Sequence, residues 1–86
     1  MNGDPMLIFH RECEAKYAKG VVEHRGGDRS RPFVGDVFDE YCQEQLDSVN
    51  YLYDALRRGE ISQDVYDYGF QRHFEMWWWG KQMVAQ

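Results

Sequence analysis

A chain of 86 residues with a net charge of −5 has room for one small domain and no second core. The acidic balance argues against general affinity for nucleic acid or anionic membrane, and no apolar run approaches the roughly 18 residues of a membrane span. A 16% aromatic fraction points to stabilisation by aromatic packing, with dimerisation as the other device open to so small a core.

Residues 1–3 are expected to lack order. Asp4-Pro5 then reads as an N-cap followed by proline at the first helical position, where its missing N–H costs nothing. Met6, Phe9, Cys13, Tyr17 and Val21 follow at spacings of three and four, with Arg11, Glu12, Lys16, Lys19 and Glu23 on the other side. The spacing predicts a first helix over residues 5–24, weakened by roughly 1 kcal/mol at Gly20 relative to alanine. Leu7 and Ile8 leave this stripe. The rival is therefore an α+β fold with an N-terminal β-hairpin built from residues 6–10 and 20–25. The apolar stretch at residues 6–9 is too short for the apolar region of a signal peptide and has no basic region before it. A cytoplasmic location follows as the expectation, with Cys13 and Cys42 as two buried thiols in place of a disulfide.

Residues 25–35 carry three glycines, one proline and the arginines Arg25, Arg29 and Arg31, which is loop chemistry. With Phe33 nearby, the three arginines form the one segment suited to contacting phosphates. A solvated linker accounts for them as well, and a binding patch would call for a more basic domain.

The second helix is expected over residues 36–58. Asp36 is its N-cap, Asp39 and Glu40 suit the positive end of the dipole, and Gly59 suits a left-handed C-terminal stop. Phe38, Tyr41, Cys42, Leu46, Val49, Leu52, Tyr53 and Leu56 form one broad apolar stripe at 100° per residue. The opposite side is the more informative one. Asp36, Glu40, Glu44, Asp47 and Asp54 fall within an arc of roughly 80°, Asp39 lies nearby, and no Lys or Arg occurs between Asp36 and Leu56. Like charges at i,i+3 and i,i+4 each cost a few tenths of a kcal/mol, whereas mixed charges would give solubility at less cost.

Ser62 is the N-cap of a third helix over residues 63–80, with Ile61 and Tyr66 at the spacing of a hydrophobic staple. Tyr66, Phe70, Phe74, Trp77 and Val84 make its main stripe, and Tyr66, Phe70, Phe74 and Trp77 are the expected core. Trp77, Trp78 and Trp79 are each about 100° apart and cannot all point inward. Tyr68, Trp78 and Trp79 leave the stripe and are candidate contact residues, since Trp and Tyr anchor interfaces. The tail after Gly80 is expected to fray.

Catalytic signatures are missing. His10 and Cys13 with His24, Cys42 or His73 lack the paired short spacings of a zinc site, so no metal or other cofactor is expected. A cysteine nucleophile would need a positioned base and an orienting group. No phosphate-binding glycine motif occurs, and three short helices leave little volume for a substrate pocket of about 300 Å³.

The expectation is an all-α domain over residues 4–84, with helices 2 and 3 as an antiparallel hairpin, that binds without turnover. It would dock on a larger protein as an inhibitor or adaptor. Asp36, Asp39, Glu40, Glu44, Asp47 and Asp54 would meet a basic groove, and Tyr68, Trp78 or Trp79 would anchor the contact. If that groove normally holds nucleic acid, as in a nucleic-acid-processing enzyme, the logic is that of phage-encoded anti-restriction and anti-CRISPR proteins. That is an analogy of charge and size, with no matched motif. The rivals are a homo-oligomeric assembly protein, a homodimer being its simplest form, and a nucleic-acid-binding module using Arg25, Arg29 and Arg31.

Overall fold

The computed structural model describes residues 3–31 and 35–84. The expectations for Met1, Asn2, Phe33, Ala85 and Gln86 fall outside them. The described residues form three helices and no strand: α1 (Pro5–Arg25), α2 (Val37–Arg57) and α3 (Gln63–Val84). The fold is all-α, and the β-hairpin alternative is not supported, since residues 6–10 and 20–25 both lie in α1. No helix is long and apolar enough to cross a membrane. The chain divides at Gly35 into two compact units.

The first unit is α1 and the loop after it. Asp4 caps the helix by accepting from the Met6 N–H at 2.9 Å, with Pro5 in the first turn. The helix runs through Gly20 and stops at Gly26, whose φ of 61° is left-handed. The N–H groups of Gly26 and Gly27 both turn back to the Val21 carbonyl. The expected apolar stripe does not form a core. Val21 alone among the helix's residues is buried, while Met6, Phe9, Cys13 and Tyr17 are exposed. The reason is visible on the wheel, because Met6, Leu7, Ile8 and Phe9 are consecutive and so point all round the helix. Cys13 thus departs from the expected buried thiol.

The second unit is the α2–α3 hairpin. Asp36 Oδ1 accepts from both the Phe38 and Asp39 N–H groups at 3.0 Å. At the far end Gly59, with φ 74°, donates to Leu56 O at 3.0 Å, and Glu60 donates to Ala55 O at 2.9 Å. These two bonds make a Schellman stop. Ser62 Oγ then accepts from the Val65 N–H at 3.2 Å, restarting the chain as α3. The turn is antiparallel, as the pairing of Tyr53 with Tyr66 near it and of Phe38 with Trp79 away from it records.

The seam differs from the expected one. The centres of closest approach on α3 are Gly69 and Gly80. A Cβ on Gly69 would lie 2.6 Å from Leu52 Cδ1, and one on Gly80 would lie 2.8 Å from Cys42 Sγ and 2.9 Å from Tyr41 Cδ1. Cys42 is fully buried there, its thiol directed at the Trp77 carbonyl at 3.6 Å. Eleven residues are three turns, so the two glycines share one line on the helix. The stripe of Phe70, Phe74 and Val84 is rotated by roughly 50–130° from that line, and these three side chains remain 42–47% exposed. Phe70 and Phe74 are thus flanks of the hairpin and not its core. Gly80, expected as the helix end, is instead buried in the seam, and α3 continues to Val84.

Candidate functional site

The two termini of α2 and the seam fix where its carboxylates go. Cys42, Gln45, Val49 and Leu52 define the side turned to α3, and the acidic arc is centred roughly 160° around the helix from them. Asp36, Asp39, Glu40, Glu44, Asp47 and Asp54 are all exposed. Among the described residues none of the six has a basic side chain within 4.0 Å. Asp36 is committed in part to capping. The other five make no hydrogen bond through their side chains to a described residue, and Ser48 Oγ–H, which lies beside them, is spent on the Glu44 backbone carbonyl at 2.9 Å. The result is a strip of uncompensated negative charge along the outer side of the hairpin.

The three aromatic candidates do not lie together. Trp78 is 53% exposed and points roughly 170° away from the Gly69–Gly80 line, so it and the acidic arc occupy opposite outer sides of the hairpin. Trp79 is half-exposed but held, its ring edge-on to Phe38 and Tyr41 with both centroids at 5.6 Å. Tyr68 shares that flank, with the Arg72 guanidinium 5.1 Å over its ring. Arg72 also donates to Glu75 at 3.0 Å. Tyr41, which touches Trp79, stands on the side of α2 nearest Glu44. Trp79 and the edge of the acidic strip therefore border one surface, from which Trp78 is absent.

The loop arginines are engaged within their own unit. Arg25 and Arg29 lie 5.2 and 5.3 Å over the Tyr17 ring. Arg25 also donates to the Tyr17 hydroxyl at 2.9 Å and to the Arg31 carbonyl at 3.2 Å. Arg31 returns a bond to the Arg25 carbonyl at 3.3 Å. Arg29 pairs with Glu14, a hydrogen bond that raises the guanidinium pKa further. Asp28 folds the turn by accepting from the Ser30 N–H and hydroxyl at 2.9 and 2.7 Å, which hold its carboxyl below the ordinary value of 3.8. This is a self-satisfied cluster built around Tyr17.

Among the described residues no three His, Cys, Asp or Glu side chains gather in metal-binding geometry. His10 and Cys13 are exposed on α1. His73 Nδ1 lies 2.7 Å from Gln45 Oε1, an imidazole N–H donating to the amide oxygen across the seam.

Sequence reasoning missed a groove. On the flank of the hairpin away from Trp79, an open depression of about 290 Å³ is lined by Leu46, Val49, Phe70, Phe74 and Trp77, with Asn50 and the hydrogen-bonded His73–Gln45 pair as its polar residues. No carboxylate, lysine or arginine lines it. The signal was present in the spacing of Gly69 and Gly80, which turns the aromatic stripe outward. No known family, curated protein or solved structure matches the chain.

Proposed function

We propose that this protein acts by binding and not by turnover, docking its acidic α2 face into a basic groove on a larger protein. The observation that carries the reading is the strip of six exposed carboxylates with no basic side chain within 4.0 Å among the described residues. Leaving like charges unpaired at i,i+3 and i,i+4 costs helix stability, and a basic partner recovers that cost on binding while steering its own approach. Trp79, bordering the Glu44 edge, supplies an aromatic contact on the same surface; Trp78 serves a separate contact or none. Successive carboxylates from Glu40 to Asp47 rise by about 4.5–6 Å along the axis, loosely comparable to charge spacing on a nucleic-acid strand. A groove that normally holds nucleic acid is accordingly the partner surface of choice, and the protein would work there as an acidic competitor in the cytoplasm.

The test is capture from cognate cell extract at low and high salt, followed by association kinetics on the recovered partner. Reversing Glu40, Glu44 and Asp47 to lysine should slow association at least tenfold and flatten its salt dependence. Unchanged kinetics after that triple reversal would remove the acidic face from the account.

A further inference from the structure

We infer that the groove flank of the hairpin is a self-association surface, and that two copies pair through it as a two-fold four-helix bundle. The inference stands apart from the acidic-face reading, because no carboxylate lines the groove. Three features of the flank lead to a second copy as the occupant.

The first is the shortage of buried apolar residues. Within the hairpin Cys42 is the one fully buried apolar side chain, and Gly80 contributes only backbone. Two helices touching along glycines bury too little to hold a structure of this size. Leu46, Tyr53, Phe70, Phe74 and Val84 stay 42–48% exposed on this flank, leaving roughly 400 Å² of apolar surface in water on each copy, from typical side-chain areas. Pairing two such flanks, with the half-buried Val49 and Trp77 included, removes about 1,000 Å², the threshold for a specific interface.

The second is charge. The hairpin, residues 35–86, carries ten acidic and four basic side chains, so two copies repel over most of their surface. This flank is the exception. Its floor holds no carboxylate, lysine or arginine. Its borders at 100° per residue are Asp39, Asp47, Asp54 and Arg57 on α2 and Asp67 and Lys81 on α3, so carboxylates are confined to the rim. Lys81 already lies 5.6 Å over the Trp77 ring. Two copies meeting here bring uncharged floors together, with charge kept to the rim.

The third is shape. A two-fold interface requires one patch to be its own complement. The groove sits at mid-length of both helices, around Gln45–Asn50 on one and Phe70–Trp77 on the other. It is bordered by the Phe70 and Phe74 side chains, so those of one copy can enter the depression of the other. The His73–Gln45 hydrogen bond pairs one ring nitrogen with the amide oxygen, and the amide groups of Asn50 and Gln45 are left to find partners across the two-fold. The acidic strips then face outward on both sides of the bundle.

The experiment is sedimentation equilibrium of the full chain from low to several hundred micromolar. Mass should rise from the 10.3 kDa of one chain to twice that value, and should not fall when salt is raised. Phe74→Glu and, separately, Leu46→Glu should each weaken pairing at least tenfold while circular dichroism shows the helices kept. Both side chains are about half exposed, so at least one variant remains folded and interpretable. Tyr51→Glu, on the acidic side of α2, and Phe9→Glu, on α1, should pair as the parent does. A monomer at every concentration would overturn the inference, as would parent-strength pairing in both groove variants. Pairing lost in Phe9→Glu or Tyr51→Glu, or lost to salt, would place the interface elsewhere and overturn it too.

Discussion

Substituting alanine at Gly20, Gly69 and Gly80 separates helix propensity from the close approach of α2 and α3. Alanine is favoured over glycine inside a helix by about 0.8–1 kcal/mol. At Gly20 a Cβ would meet nothing within 4 Å, so Gly20→Ala should gain nearly that amount. At Gly80 the new methyl would lie 2.8 Å from the Sγ of buried Cys42 and 2.9 Å from the Tyr41 ring, two neighbours that cannot both withdraw. Overpacking of this kind costs about 1–3 kcal/mol, so Gly80→Ala should lose about 1 kcal/mol net. Gly69→Ala is intermediate. The clash is with Leu52 Cδ1 at 2.6 Å, the end of a half-buried side chain that can rotate, and gain and loss should cancel to within about 0.5 kcal/mol.

Urea unfolding at one fixed protein concentration reads these differences. Circular dichroism reports all three helices, whereas tryptophan emission reports the hairpin alone, because all three tryptophans lie on α3. Adding Cys42→Ala to Gly80→Ala should recover part of the loss by removing one of the two clashes, a non-additivity expected of contacting sites. If Gly80→Ala stabilises the hairpin as much as Gly20→Ala stabilises the first unit, the close approach is wrong and so is the seam built on it.

Two further outcomes follow from local chemistry. Asp28 is held below 3.8 by its bonds to Ser30, and a depressed carboxylate contributes above its unfolded pKa and loses that contribution as pH falls through the lower folded value. The Ser30 amide resonance should therefore titrate with a midpoint below 3.8; a midpoint at or above that ordinary value would contradict the turn geometry. Of the two thiols, exposed Cys13 should react quickly with an aromatic disulfide reagent and buried Cys42 only on unfolding. Two fast equivalents would mean that the seam opens readily.

Much of the hairpin was legible because its signals are local. Asp36, Gly59 and Ser62 announce where helices start and stop, Asp36 and Ser62 by side-chain oxygens that accept backbone N–H groups and Gly59 by its own N–H, all within a few residues. The acidic arc was legible for the same reason, since charge on a wheel needs no partner to define it. The seam was not. Counting apolar side chains placed Phe70 and Phe74 in the core, whereas two small residues three turns apart on α3 decide which side approaches α2. Hydrophobic periodicity weighs what a side chain carries, and a glycine contact line carries nothing to weigh. On α1 the failure is different: four consecutive apolar residues at Met6–Phe9 satisfy any stripe drawn through them, and Cys13, expected as a buried thiol, is exposed. The arginines show a third limit. Their composition suits phosphate, but Tyr17 and Glu14, which occupy them, lie 8 to 15 residues away in sequence.

The glycine seam has a thermal consequence. Heat-capacity change on unfolding scales with the apolar surface newly exposed to water, and a hairpin that approaches closest at two glycines, with half-exposed aromatics beside them, has less to expose than one with a closed core. Taken alone, α2 and α3 would melt over a wide span, with a shallow stability curve and weak dependence on temperature near its maximum. Covering the aromatic flank adds the missing apolar term, steepening that curve and sharpening the transition. On the inferred pairing, the sharpness of melting would depend on the cover over Phe70 and Phe74 as well as on the contact between α2 and α3.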